Sequence, residues 1–172
     1  MNDSGRPAGA TAASATVLTG LLGGLYYSYA VSVMPGLAKL DDRAFALAMN
    51  HINVAIVNPV FMLSFLGAPA VTVVAAIVEL RRGTRASAGW VGGAAVLNLI
   101  GLGITAALNI PLNDQLAADS NRAAFESSWV IWNDVRTVVT AGALVALTAG
   151  LVARHGTRKN PIPQPPTPAR GY

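Results

Sequence analysis

Four long stretches of the chain contain no Asp, Glu, Lys, Arg or His, and this pattern limits the fold more than any other feature. The stretches are Pro7–Ala38, Ile52–Val78, Ala86–Asn113 and Thr137–Ala153. Three of them exceed the roughly 20 apolar residues that a helix needs to cross a bilayer, whereas the fourth has 17. Because 53% of the residues are hydrophobic and only 12% are charged, the chain is too apolar for an ordinary soluble domain. The sequence therefore predicts an all-α bundle of four transmembrane helices, in a multi-pass protein of the cell membrane.

Basic residues are distributed unevenly between the connections of this predicted bundle. Of the 12 Lys and Arg residues, eight lie before the first helix, in the loop that holds Arg81, Arg82 and Arg85, or after the fourth helix. The other four lie in the first and third loops or in the helix ends next to them. The positive-inside rule therefore predicts cytoplasmic N- and C-termini, with the first and third loops outside. The basic residues follow the distribution expected of a membrane protein, so the net charge of +4 is not taken as a sign of nucleic-acid binding. The expected partner is the lipid bilayer.

Proline and glycine positions predict where the helices end and bend. Asn58-Pro59 and Pro69 lie inside the second helix, so a kink or break is expected near residue 58, and Pro69 is a second candidate position. Pro35-Gly36 should end the first helix, and Asn109-Ile110-Pro111 should end the third. A short helix is expected in the third loop, at about Ala117–Phe125. The predicted transmembrane helices are Ala12–Met34, Asp42–Leu80, Ala88–Asn109 and Ser127–Ala153.

The two ends of the chain differ in composition from the helical domain predicted at 12–153. Residues 1–11 are small, polar and Gly-rich, and are expected to be disordered. Residues 154–172 are basic and then Pro-rich, and are expected to form a disordered tail. A cleaved secretory signal ending near Ala30-Val31-Ser32 is the alternative for the N-terminus, but the apolar run is long enough to remain as a span.

Metal and thiol chemistry have little support in the sequence. The chain has no cysteine, which excludes a disulfide framework, a thiol nucleophile and a thiolate metal site. Its two histidines, His51 and His155, are placed on opposite sides of the membrane by the predicted topology, so no zinc or copper site is expected. Haem bound through His51 alone would lack an attachment motif, and no G-x-S-x-G motif suggests a serine hydrolase. A site without metal or cofactor is therefore expected.

Polar residues collect at the predicted outer ends of the four helices. Because such groups are costly in a bilayer, they usually face the bundle interior and one another. Two interpretations stay open: a hydrogen-bonded plug that fixes helix packing, or a pocket for a ligand or a reaction. Tyr26 and Tyr29 could instead form an interfacial aromatic belt, and Arg136 could extend to the headgroups. The residues are Tyr26, Tyr29, His51, Asn53, Asn58, Asn109, Asn113, Asn133 and Arg136, with Trp129 and Trp132 on the same face of the fourth helix as Asn133 and Arg136.

Three motifs in order resemble the anthrone oxygenase family of small four-helix membrane proteins. They are LDDRAFALAMNHINVAIVNPVF at 40–61, NIPLND at 109–114 and WVIWNDVRT at 129–137, and the resemblance covers about residues 13–153. It implies oxidation of an anthrone to an anthraquinone by O2 in a polyketide pathway, without flavin, haem or metal. The shared polar positions would be His51, Asn58, Asn109, Asn113, Trp132, Asn133 and Arg136.

The chemistry of such a reaction suggests a role for each candidate residue. His51 would remove the acidic benzylic proton, and Arg136 with Asn133 would hold the resulting enolate. The expected substrate-binding residues are Tyr26, Tyr29, Asn58, Asn109, Asn113, Trp129 and Trp132. The alternative is a non-enzymatic small integral membrane protein that binds a lipid, a quinone or a protein partner. In that case the small-residue spacing of Gly20 with Gly24 and of Gly89 with Gly93 would favour association, for example as a homo-oligomer.

Overall fold

A computed structural model describes residues 6–81 and 85–158, with side chains described for 9–81 and 85–154. Within these residues the secondary structure is helical and contains no strand, which confirms the all-α prediction. Two π turns, π1 (Tyr29–Val33) and π2 (Thr105–Asn109), interrupt otherwise continuous helices. The α-helices are α1 (Arg6–Ser28), α2 (Met34–Leu37), α3 (Asp42–Ile56), α4 (Pro59–Arg81), α5 (Arg85–Ile104), α6 (Ile110–Asp119) and α7 (Arg122–Arg158).

Four helices are long and apolar enough to cross a membrane, which confirms the four predicted spans. They are Gly9–Leu37, Pro59–Arg81, Arg85–Asp119 and Arg122–Arg154. α1 packs against α4 and α7, and α5 packs against the same two helices, so the spans form a closed ring of four. The core of one half of the bundle is rich in alanine, including Ala15, Ala75, Ala94 and Ala143, and small residues let membrane helices approach closely. The cytoplasmic orientation of the termini stays a prediction.

The break expected near residue 58 is present and separates α3 from α4. α3 ends at Ile56, Val57 and Asn58 lie between the helices, and α4 begins at Pro59, where the missing proline N–H costs no helical hydrogen bond. α3 is amphipathic and lies outside the four candidate spans. α4 then runs through Pro69 without a second break.

Two expected helix ends are wrong, and a π turn explains each of them. The first span continues past Pro35 to Leu37, and the third continues past Pro111 to Asp119. A proline inside a helix removes one hydrogen bond and its ring collides with the carbonyl four residues earlier. In both places a π turn ends two residues before the proline, so the wider turn gives the ring room. The separate helix expected at 117–125 is absent because the chain reverses at Ser120, whose φ is 54°.

Helical structure also extends into both segments that were expected to be disordered. α1 begins at Arg6 and α7 ends at Arg158. The remainder of the two predicted tails, at 1–5 and 159–172, lies outside the described residues.

Candidate functional site

A cavity of about 270 Å³ lies inside the end of the bundle that carries both π turns. Its walls come from α1 and π1, the junction of α3 and α4, π2 with the start of α6, and α7. π turns are frequent at functional sites, and here they supply Tyr29, Thr105 and Asn109 to the walls. The lining residues are Leu25, Tyr26, Tyr29, Asn53, Ile56, Val57, Phe61, Met62, Phe65, Thr105, Asn109, Ile110, Asn113, Trp129 and Arg136.

Arg136 supplies a buried positive charge to this cavity. Its side chain is 5% exposed, and its guanidinium donates from Nη1 to the Thr105 hydroxyl at 3.1 Å and from Nη2 to Oδ1 of Asn133 at 3.0 Å. Its carbon Cζ lies 4.3 Å from the ring centroid of Tyr26 and 5.5 Å from that of Trp129. Among the described residues no carboxylate pairs with it, and its Nε has no hydrogen-bond partner. The cavity therefore contains a cation whose protein partners are all neutral.

Asn133 holds this guanidinium in place without lining the cavity. The residue is fully buried, its Nδ2 donates to the backbone carbonyl of Tyr26 at 3.1 Å, and its Oδ1 accepts from Arg136. The amide thus ties α7 to α1 and fixes the position of the arginine. In the structure Asn133 thus contacts Arg136 and does not line the cavity.

Asn109 differs from the other buried asparagines of the bundle. Asn98 donates to the hydroxyls of Thr19 and Thr72, and Asn133 uses both of its amide atoms as described. Asn109 is 1% exposed and lines the cavity, yet neither its Nδ2 nor its Oδ1 has a partner. Buried polar atoms nearly always have a hydrogen-bond partner, so both amide atoms of Asn109 are available to a water or ligand in the cavity.

Aromatic rings form one wall of the cavity beside Arg136. The rings of Tyr29 and Trp129 are tilted by 48° with centroids 5.4 Å apart. The indole Nε1 of Trp129 donates to Oδ1 of Asn113 at 2.8 Å, which fixes the ring and occupies one amide atom of Asn113. A flat aromatic ligand would find ring faces on this side and hydrogen-bond donors at Arg136 and Asn109.

The structure brings together most, but not all, of the predicted site residues. Tyr26, Tyr29, Asn109, Asn113, Trp129 and Arg136 line the cavity, and Asn133 touches Arg136. Trp132 is half-buried and does not line it. From the sequence, Asn53 is predicted in the polar cluster without a role, and Thr105 is not predicted there, although Thr105 lies one π turn before Asn109.

The expected convergence on one cavity is wrong for His51 and Asn58. α3 directs Phe45 and Met49 into the core and Asn53 to the cavity, whereas His51, two residues past Met49, is exposed on the other side of the helix. Asn58 is exposed, and its amide forms hydrogen bonds with backbone groups at the junction of α3 and α4. The predicted helix Asp42–Leu80 contains both residues, but in the structure α3 ends at Ile56 and α4 begins at Pro59, so His51 and Asn58 do not share one helix face.

The cavity walls offer hydrogen-bond donors and aromatic ring faces, but no carboxylate, imidazole or thiol. No Asp, Glu, His or Cys is among the lining residues. Elsewhere in the described part of the chain, no group of three or more such residues could hold a metal ion. Such a lining suits an aromatic molecule with a negative or strongly polar oxygen.

A family comparison places this site in context. The family model described as anthrone oxygenase matches residues 61–146, which is half of the chain and includes Asn109, Asn113, Trp129, Asn133 and Arg136. The match is shorter than the resemblance inferred from the motifs, and the first motif lies almost wholly outside it. No curated protein and no solved structure matches the chain. The chain belongs to the anthrone oxygenase family.

Proposed function

We propose that this protein is a cofactor-independent membrane oxygenase that oxidises an anthrone-like phenolic substrate to a quinone with O2. The observation that carries the proposal is Arg136, a buried guanidinium with no carboxylate partner among the described residues, at the end of an aromatic-walled cavity. A buried charge is costly unless something compensates it. An enolate oxygen would supply the missing negative charge only after the substrate has been deprotonated.

The cavity supports the reaction by favouring the anionic form of its substrate. Loss of the benzylic proton of an anthrone delocalises the electron pair onto the carbonyl oxygen, where Nε of Arg136 and the amide of Asn109 can donate hydrogen bonds. Because the positive field makes the proton easier to lose, water at the cavity can accept it. No imidazole lines the cavity, so the role of base assigned to His51 has no geometric support.

The remaining steps require only dioxygen. The electron-rich benzylic carbon reacts with O2 to form a carbon–oxygen bond, and protonation gives a hydroperoxide. Loss of water, with the second benzylic hydrogen, then breaks the O–O bond and leaves a second carbonyl. In total, anthrone and O2 give anthraquinone and water, so one oxygen atom enters the product and one enters water. The contribution of the protein is positioning and stabilisation of charge.

An isotope experiment with the purified protein tests this proposal. The protein in lipid nanodiscs is mixed with anthrone under ¹⁸O2, and quinone formation is followed by absorbance and mass spectrometry. We expect formation faster than in protein-free nanodiscs, with one ¹⁸O atom per quinone, and a loss of the rate enhancement in Arg136→Met. Quinone formation no faster than in the protein-free sample would reject the oxygenase activity on this substrate.

Binding without catalysis is the second candidate function, and the absence of a carboxylate or imidazole from the cavity lining favours it. The same cavity could hold a quinone, with a carbonyl at Arg136 and rings against Trp129. A protein that binds anthraquinone with saturation but does not accelerate anthrone oxidation would support this function over the first.

A further inference from the structure

The cavity is polar at its deep end and apolar where it opens. Asn109 and Arg136 are almost fully buried, whereas two other lining residues, Val57 and Ile110, are 68% and 44% exposed. A residue that lines a cavity and is also exposed marks its opening. The mouth therefore lies between the α3–α4 break, which holds Val57, and the first turn of α6, which holds Ile110.

On its α3–α4 side, this mouth is bordered by large exposed apolar side chains. Val54, Val60 and Leu63 are all strongly exposed on the α3–α4 side. α4 is one of the four spans, so its exposed residues face the surroundings of the bundle and not its core. A membrane would cover such a surface more favourably than water would.

Asn58 makes the interruption between α3 and α4 compatible with a lipid environment at this surface. A break leaves backbone groups without helical partners, and such groups are costly where no water can reach them. Nδ2 of Asn58 donates to the carbonyls of Ala55 at 3.0 Å and Ile56 at 3.2 Å, and its Oδ1 accepts from the backbone N–H groups of Val60 and Phe61. Its amide is thus fully used by the backbone, and Asn58 adds no unpaired polar group to the rim of the mouth.

The depth of the mouth fits the boundary between hydrocarbon and headgroups. α4 has 23 residues. At about 1.5 Å per residue, its first residue lies roughly 33 Å from its last, compared with about 30 Å for the hydrocarbon core. Flat aromatic molecules with a polar edge prefer this boundary, as tyrosine and tryptophan side chains do. A phenolic polycycle would therefore collect where the cavity opens.

We propose that the cavity is loaded laterally from the membrane, through a mouth between Val57 and Ile110. A neutral, flat aromatic molecule dissolved in the bilayer passes between these residues and reaches Arg136 and Asn109 inside. This inference rests on the proposed function only for the identity of the ligand, because the route follows from the lining and exposure of the cavity.

Labelling of single cysteines tests the route, because the chain has no native cysteine. Val57→Cys and Ile110→Cys are each labelled with a bulky maleimide, and Val60→Cys, which is 79% exposed but does not line the cavity, is the matched control. The background carries Trp90→Phe and Trp132→Phe, so that the remaining fluorescence comes from Trp129 in the cavity wall. The probe is 9,10-anthraquinone in phosphatidylcholine vesicles, and the measurement is the rate at which it quenches this fluorescence.

Labels at Val57 and Ile110 should slow quenching by about tenfold or more, whereas the label at Val60 should leave the rate within about twofold. The rate in unlabelled protein should follow the mole fraction of quinone in the bilayer and not its total concentration in the sample. Unchanged rates at both mouth positions, equal slowing at Val60, or no saturable quenching in unlabelled protein would overturn the proposal. Position-dependent quenching without anthrone oxidation would keep the route and reject the oxygenase.

Discussion

At the scale of single residues, Arg136 still has hydrogen-bond donors to offer after its protein partners are satisfied. Thr105 and Asn133 each accept one hydrogen bond from the guanidinium, and Nε remains buried without a hydrogen-bond partner. A lysine at this position could not bind both neighbours and a ligand oxygen in the same plane, because an ammonium lacks the fork geometry. Arg136→Lys should therefore lower the rate of anthrone oxidation by about tenfold or more, and Arg136→Met by about 10²- to 10³-fold. Steady-state kinetics with matched thermal unfolding would measure both, and full activity in a well-folded Arg136→Lys variant would contradict the role.

Asn109 allows a prediction in which ligand binding and stability change in opposite ways. Asn109→Leu removes a buried amide that has no partner, so thermal stability should stay the same or rise. The same variant should bind anthraquinone about 5- to 30-fold more weakly, because one or two hydrogen bonds of about 1 kcal/mol each are lost. Asn98→Leu is the matched control, since Asn98 joins Thr19 and Thr72 in the middle of the bundle. It should lower stability and leave ligand affinity unchanged, and the opposite pattern would assign Asn109 to packing.

At the scale of helices, the sequence predicts the spans well and the interruptions less well. Charge-free stretches and Asn58-Pro59 identify the spans and the break before α4 because both depend on local chemistry. The sequence does not reveal the two π turns, because they depend on how each helix accommodates its proline. Without a π turn, Pro35 and Pro111 predict helix ends. The exposure of His51 was not predictable for the same reason, because the face of α3 that is buried depends on packing against Phe125 and Trp129. The inward positions of Arg136 and Asn109 were predictable, because polar groups in apolar membrane helices usually face the bundle interior.

At the scale of the whole molecule, the two ends of the bundle carry different kinds of polar group. The end with the cavity has an unpaired cation and an unpaired amide, whereas toward the other end Glu79 and Arg154 form a buried ion pair between α4 and α7. Nearby, the Ser87 hydroxyl donates to the carbonyl of Gly150, which joins α5 to α7. Unsatisfied groups at one end and satisfied groups at the other are the pattern expected when binding and stability are located apart.

This separation predicts that the Glu79–Arg154 pair can be broken without a direct effect on the cavity. Glu79→Gln removes the carboxylate from this buried ion pair, and loss of one partner of a buried ion pair typically costs about 3 to 5 kcal/mol. We expect a clearly lower unfolding temperature in detergent for this variant. Below that temperature, its affinity for anthraquinone and its rate with anthrone should stay within about twofold of the parent protein, since neither residue lines the cavity. A change in ligand affinity larger than the change seen for Asn98→Leu would show instead that the two ends of the bundle are coupled through α7.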